Sequence, residues 1–219
     1  MRIIIRTLGK DHLHGTAEPG QAREDFAVHV ADADELLVQE ASQMVTLRDG
    51  ADVTESMEIK RWLKRLGDGE PNAYDILFAP DSAVLERDDE AWAAILPVAR
   101  AQVSKRLDGF VSYVRRIEAR ARRDPPIDPR SLRDAARVAD QALELLRTGR
   151  VTFPRADARQ LAAIRAGAVA PVHVADALTE VLAEIEKAAL DSSLPDEPDR
   201  EWAARYVRDV HKRAIVDAA

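Results

Sequence analysis

The sequence predicts an α+β protein: a small mixed β-sheet with flanking helices, followed by an all-α region. Three observations lead there. β-type segments are concentrated in about the first fifty residues, helical periodicity fills the rest, and the two parts differ in charge.

Arg2–Leu8 reads as a buried strand, because Ile3, Ile4 and Ile5 are β-branched and Gly9 bounds the run. A polar loop through Gly15, Pro19 and Gly20 follows. Phe26, Val28 and Val30 alternate with Ala27 and His29, the period of a half-buried strand. Leu36–Gln39 and Gln43–Leu47 are weaker strand candidates, and Arg48-Asp49-Gly50 turns the chain into an extended piece at Ala51–Thr54. Beyond it, Ile59, Trp62, Leu63 and Leu66 follow the i, i+3, i+4, i+7 spacing of a helix, with Gly67 at its expected end. Further helices are expected at Ala73–Phe78, Asp89–Ile95, Val98–Arg122, Ser131–Thr148, Asp157–Ala166, Val172–Leu190 and Glu201–Ile215. Asp124-Pro125-Pro126, Gly149 and Ser193-Leu194-Pro195 mark breaks between them. The division expected is a sheet-containing domain over residues 1–96 and a helical domain over 97–219.

The chain has 219 residues with 32 Lys+Arg against 39 Asp+Glu, a net charge of −7. Up to Leu96 there are 10 basic and 20 acidic residues, whereas Val98–Arg165 holds 16 basic and 8 acidic. An acidic lobe therefore precedes a basic helical one. That basic excess reads either as solvated helix faces or as a surface for the phosphates of a nucleotide or an RNA. No apolar run is long enough to span a bilayer and no signal-peptide pattern is present, so a soluble cytoplasmic protein without membrane contact is expected. The absence of Cys excludes disulfides, thiolate metal sites and Cys nucleophiles. Aromatic content of 5% leaves few stacking platforms for single-stranded nucleic acid: Trp62, Trp92 and Trp202 read as core, and Tyr113 remains the best candidate.

Catalysis must then use carboxylates, His, Ser/Thr or Lys. Glu24 and Asp25 precede the second strand, and Asp52 lies on a neighbouring extended piece. Carboxylates on adjacent strands can hold Mg²⁺ for nucleotidyl transfer. Adjacent residues on an undistorted strand face opposite ways, however, which sets Glu24 against Asp25. His12 and His14, spaced i, i+2, could flank a phosphate or share a metal. His29, His173 and His211 stand alone, and Ser104 and Ser131 have no His–Asp arrangement near them.

The stretch Lys10-Asp11-His12-Leu13-His14-Gly15 through Pro19-Gly20-Gln21-Ala22-Arg23-Glu24-Asp25-Phe26 resembles the opening motif of the polymerase-beta-like nucleotidyltransferases, in the bacterial and phage branch that includes RNA-ligase-associated members. Glu70-Pro71-Asn72 before Ile76-Leu77-Phe78-Ala79-Pro80 resembles that branch's Asn-Pro-Asn segment. Glu144-Leu145-Leu146 to Gly149-Arg150, and Ser193-Leu194-Pro195 with Pro198-Asp199, echo its helical half. The resemblance covers nearly the whole chain. It implies a nucleotidyltransferase-like domain over residues 1–96, Mg²⁺ held by Glu24, Asp25 and Asp52, and catalytic roles for Glu24 and Asp52. It implies an NTP as substrate or ligand, contacted by Lys10, His12, His14, Arg130 and Arg137.

The departures fall on the chemistry. Lys10-Asp11 stand where the family has Gly-Ser against the triphosphate, and Asp11 would repel a phosphate at close range. Ala22 stands where the first metal carboxylate belongs, and Asp134 replaces a His of the helical half. The sequence therefore predicts a nucleotidyltransferase fold with reduced or lost NMP transfer, acting as a binding module for a nucleotide, or for an RNA or protein partner through the basic lobe. The alternative is an active Mg²⁺-dependent transferase moving NMP to a hydroxyl, with Asp25 taking the lost carboxylate's place.

Overall fold

In the computed structural model, which describes residues 1–38, 43–123 and 127–218, the expected N-terminal strands join into one sheet of an α+β fold. The strands are β1 (Arg2–Leu8), β2 (Glu24–Val30), β3 (Met44–Asp49), β4 (Asp52–Glu58) and β5 (Val84–Arg87), in the order β3-β4-β2-β1-β5. β2 and β4 run parallel, and the other neighbours are antiparallel. The C-terminal end of β1 and the N-terminal ends of β2 and β4 consequently meet at one edge of the sheet. Glu24 pairs with Val53 there, which brings the candidate carboxylates together.

Ten helices are described: α1 (Lys10–His14), α2 (Ala33–Leu37), α3 (Ile59–Gly67), α4 (Pro71–Leu77), α5 (Asp89–Arg100), α6 (Asp108–Ala121), α7 (Pro129–Thr148), α8 (Ala158–Arg165), α9 (Pro171–Asp191) and α10 (Arg200–Val216). α7 packs against α6, α8 and α9, while α10 returns to α3, α2 and α5. Trp62, Tyr74, Phe26 and Phe110 lie fully buried in one core cluster that reaches from the sheet into the helices. Trp62 donates its indole N–H to the Ala73 carbonyl at 3.1 Å, and the Phe110 ring meets Tyr74 edge-on at 5.2 Å.

Several local expectations are corrected. Leu36 and Leu37 are helical, not extended: Asp32 and Glu35 form a reciprocal capping box with both bonds at 3.0 Å, and this starts α2; Gln39 lies outside the described residues. Lys10–His14 is a helical turn where a loop was expected. The helix expected over Val98–Arg122 is two helices, interrupted at 101–107, and α5 instead continues through Pro97. Ile95, Val98 and Ala99 are at most 1% exposed, so burial of that face offsets the hydrogen bond Pro97 cannot make. β5 was not expected at all; it is a four-residue edge strand held by β1. The break at 124–126 lies outside the described residues.

Part of the basic excess of the helical part is met by acidic residues later in the chain. Arg115 pairs with Glu186, Arg147 with Glu184, Arg122 with Asp176 and Arg106 with Glu197, at 2.7–3.2 Å. At those positions the surface is a salt-bridged solvated face. Among the described residues no helix is long and apolar enough to cross a membrane.

Candidate functional site

A cleft of about 1250 Å³ lies between the sheet edge and the helices α6, α7 and α8. β1 delivers the chain to it through Gly9, where a Cβ would come within 2.5 Å of the Glu24 carbonyl. Lys10 then enters α1 with a φ of +43°, a conformation that costs a non-glycine residue on the order of 1–3 kcal/mol. α1 closes at Gly15, with φ +77° and Pro154 so near that a side chain has no room. This single turn is pinned to the helical part by a hydrogen bond from the Arg155 N–H to the His14 carbonyl at 3.1 Å.

Asp11 is the centre of the cleft's densest polar cluster. Arg133 of α7 donates to Oδ1 and Arg165 of α8 to Oδ2 at 3.0 Å. Thr16 donates to Oδ1 and Gln21 to Oδ2, each at 2.9 Å. Burial pushes this carboxyl up, but the bond from Gln21, then Arg133, Thr16 and Arg165, outweigh it and hold Asp11 below the ordinary range.

The three candidate metal carboxylates divide between partners. Glu24 faces the cleft and is paired with Lys10. Asp52 is held by Arg23 through the backbone N–H at 2.8 Å, Nε at 3.0 Å and Nη2 at 2.9 Å. Asp25 points to the other face of the strand, as strand alternation requires, and is 2% exposed. Its Oδ1 is buried without a hydrogen bond, and burial chiefly raises its pKa, against the pull of Arg23 and Arg6. Among the described residues no three His, Asp or Glu side chains converge in a metal-holding group. The carboxylates that a Mg²⁺ ion would need do not fit it in this arrangement, since Glu24, which lines the cleft, and Asp52 already carry cations of the protein itself.

His14 is at the base of the cleft, buried, with Nε2 2.9 Å from Asp75 Oδ2 and its ring stacked on Phe153 at 5.7 Å. Gln141 donates to Asp75 Oδ1 at 3.1 Å and accepts from Arg137 Nη1 at 2.8 Å. Burial first, and Arg137 next, lower the His14 pKa, so the ring is neutral and donates to an ionised Asp75. His12 does not line the cleft; it lies toward Asp25 and Asp52.

The helical wall carries the cations that are not spoken for. Arg116 lies over the Tyr113 ring at 5.2 Å, and Arg130 is exposed at the start of α7. Among the described residues neither side chain has a carboxylate partner. Arg130 and Arg137 were expected at the site and both line it. Arg133 and Arg165 were not singled out, although Arg130, Arg133 and Arg137 share the i, i+3, i+7 spacing of one helix face. Arg165, Gln21 and Asp75 left no local sequence signal, because only the tertiary fold brings them to α1 and α7.

No protein-family model matches the chain, and no curated protein is similar enough in sequence to be matched with it.

Proposed function

We propose that the chain is a nucleotidyltransferase-like fold that binds a phosphorylated ligand, a nucleotide foremost, in the cleft without transferring it. The observation that carries this reading is the pairing of Arg23 with Asp52. A transferase needs free carboxylates to hold divalent ions against the developing charge, and losing one such group costs on the order of 10²–10³ in rate. Here Arg23 takes both oxygens of Asp52, its backbone N–H on Oδ1 and its guanidinium on Oδ2, and Lys10 takes Glu24. The ligand side is less depleted. Arg116 and Arg130 offer unpaired guanidinium groups for phosphates, Tyr113 offers a ring beside them, and the volume exceeds what a mononucleotide requires.

One observation favours the active alternative. Asp25 Oδ1 is a buried acceptor without a donor, beside Asp52, and a divalent ion that displaced Arg23 would find two carboxylates there. The two readings separate in one experiment. Purified protein is given each of the four NTPs with Mg²⁺ and RNA or protein acceptors, and pyrophosphate release is followed alongside calorimetric binding. The expected result is binding without release, weakened several-fold by Arg116→Gln and again by Arg130→Gln. Release that disappears in Asp52→Asn would establish the enzyme instead, and absence of binding to every nucleotide would remove the cleft reading.

A further inference from the structure

We propose that the Asp11 carboxylate occupies a phosphoryl-binding seat made by Arg133, Arg165, Gln21 and Thr16, and that a phosphoanion entering the cleft must displace it. The inference deepens the cleft reading above and rests on it.

The donor set is the argument. Two guanidinium groups from different helices converge on one small carboxylate, joined by a hydroxyl and a side-chain amide. Planar guanidinium groups arranged around an anion are the geometry that also grips phosphate oxygens, and a phosphoryl group has three oxygens to offer where Asp11 has two. Asp11, Arg133, Arg165 and Gln21 all line the cleft, so a ligand reaches the seat without opening the core. The competitor is mounted on a short, bounded element. α1 is a single turn between two left-handed residues, Lys10 and Gly15, and a change at either backbone joint would carry Asp11 out of the seat.

A purely structural role would make Asp11 a clasp between sheet and helices, and nothing more. The two roles predict opposite results for anion binding. The test is calorimetric titration of the full chain with sodium tripolyphosphate. Asp11→Asn keeps the shape and one acceptor but removes the charge, and is expected to bind at least about tenfold more tightly than the parent. Arg165→Gln alone removes one of the two guanidinium groups of the seat and is expected to bind several-fold more weakly than the parent. Glu18→Gln removes a rim carboxylate 3.4 Å from the same Arg165 and controls for a general change in charge, with affinity expected within about twofold of the parent. In Asp11→Asn combined with Arg165→Gln the gain is expected to vanish.

If Asp11→Asn binds no more tightly than the parent, or its gain survives Arg165→Gln, or Glu18→Gln gains as much, the seat does not exist. Should Asp11→Asn fail to fold, Arg165→Gln alone decides: tripolyphosphate affinity no weaker than the parent's overturns the proposal. Failure of the wider reading has a different signature, since nucleotide binding would then be indifferent to Arg116 and Arg130 whatever Asp11 does.

Discussion

Arg23 holds both carboxylate oxygens of Asp52, the backbone N–H on Oδ1 at 2.8 Å and the side chain on Oδ2 at 2.9–3.0 Å. The backbone N–H first, and the guanidinium with it, lower the Asp52 pKa below its ordinary value. A fixed cation at this point and a divalent ion compete for the same oxygens. The sheet edge is therefore electrostatically closed by the chain's own side chain, two residues before the buried carboxyl of Asp25.

Removing that side chain is expected to create divalent-ion affinity. In Arg23→Ser, Asp52 and Asp25 lose their nearest positive charge, and millimolar Mg²⁺ is expected to raise the melting temperature by a few degrees, on the order of the linkage expected for weak binding. The parent's melting temperature is expected to stay unchanged over the same titration. The rise must vanish in Arg23→Ser with Asp52→Asn, and a Mg²⁺-dependent rise of the same size in the parent would contradict the closed edge.

What was legible in the sequence was whatever local pattern decides. The stripe Ile59, Trp62, Leu63 and Leu66 specifies α3, and the alternation from Phe26 to Val30 specifies β2, because each writes its buried face at a fixed period. β5 was missed because four residues on a sheet edge carry almost no periodic signal. The strand expected at Leu36 failed because the capping box Asp32-x-x-Glu35, readable in principle, outweighed two apolar residues. Glu24, Arg130 and Arg137, which line the cleft, and Asp52, between the lining residues Ala51 and Val53, could be picked out by residue type and neighbourhood. Their partners could not: Lys10 and Arg23 as cations on the carboxylates, and Asp11 joined to Arg165 across 154 positions, are tertiary facts.

Trp62 tests the legible part. It is fully buried beside Trp92, with ring centroids 5.9 Å apart, and its indole N–H satisfies the Ala73 carbonyl at the start of α4. Trp62→Ala leaves a large cavity and removes the indole donor from the Ala73 carbonyl, and is expected to cost about 3–5 kcal/mol in denaturant unfolding. Trp62→Phe keeps most of the volume and should cost distinctly less. Equal costs would mean that the carbonyl contact, and not packing, dominates.

Asp140 and Asp157 place two carboxyl groups together where α7 meets the start of α8. Burial first, then the hydrogen bond with Asp157 and its charge, push Asp140 up to about 6, against the pull of Arg155. The folded state thus binds a proton more tightly than the unfolded chain does at 3.8. Stability from this pair is full below the unfolded value and is lost as pH rises through about 6. Asp140→Asn keeps a donor for Asp157 without the charge. It is expected to raise the melting temperature by a few degrees at about pH 8 and to change it little at about pH 4. Thermal unfolding at the two pH values checks this, and an equal effect at both would refute it.

His14 gives the opposite slope in an overlapping window. Burial and the Arg137 guanidinium depress its pKa below the ordinary 6.5, with Asp75 and Asp134 pulling the other way. Below 6.5 the unfolded chain takes up a proton that the folded ring resists. The contribution of neutral His14 is therefore full above that value and is lost as pH falls through it toward the depressed native pKa. His14→Gln preserves a donor to Asp75 but cannot titrate. The parent's melting temperature, minus the variant's, is expected to decrease as pH falls from about 7 to about 5, whatever constant offset the substitution brings. Because Asp140 is present in both proteins, its opposing slope cancels from the difference. A difference that stays flat, or grows on acidification, would show that His14 is free to charge inside the fold, and that the base of the cleft is wetter and less constrained than the Asp75, Gln141 and Arg137 bonds require.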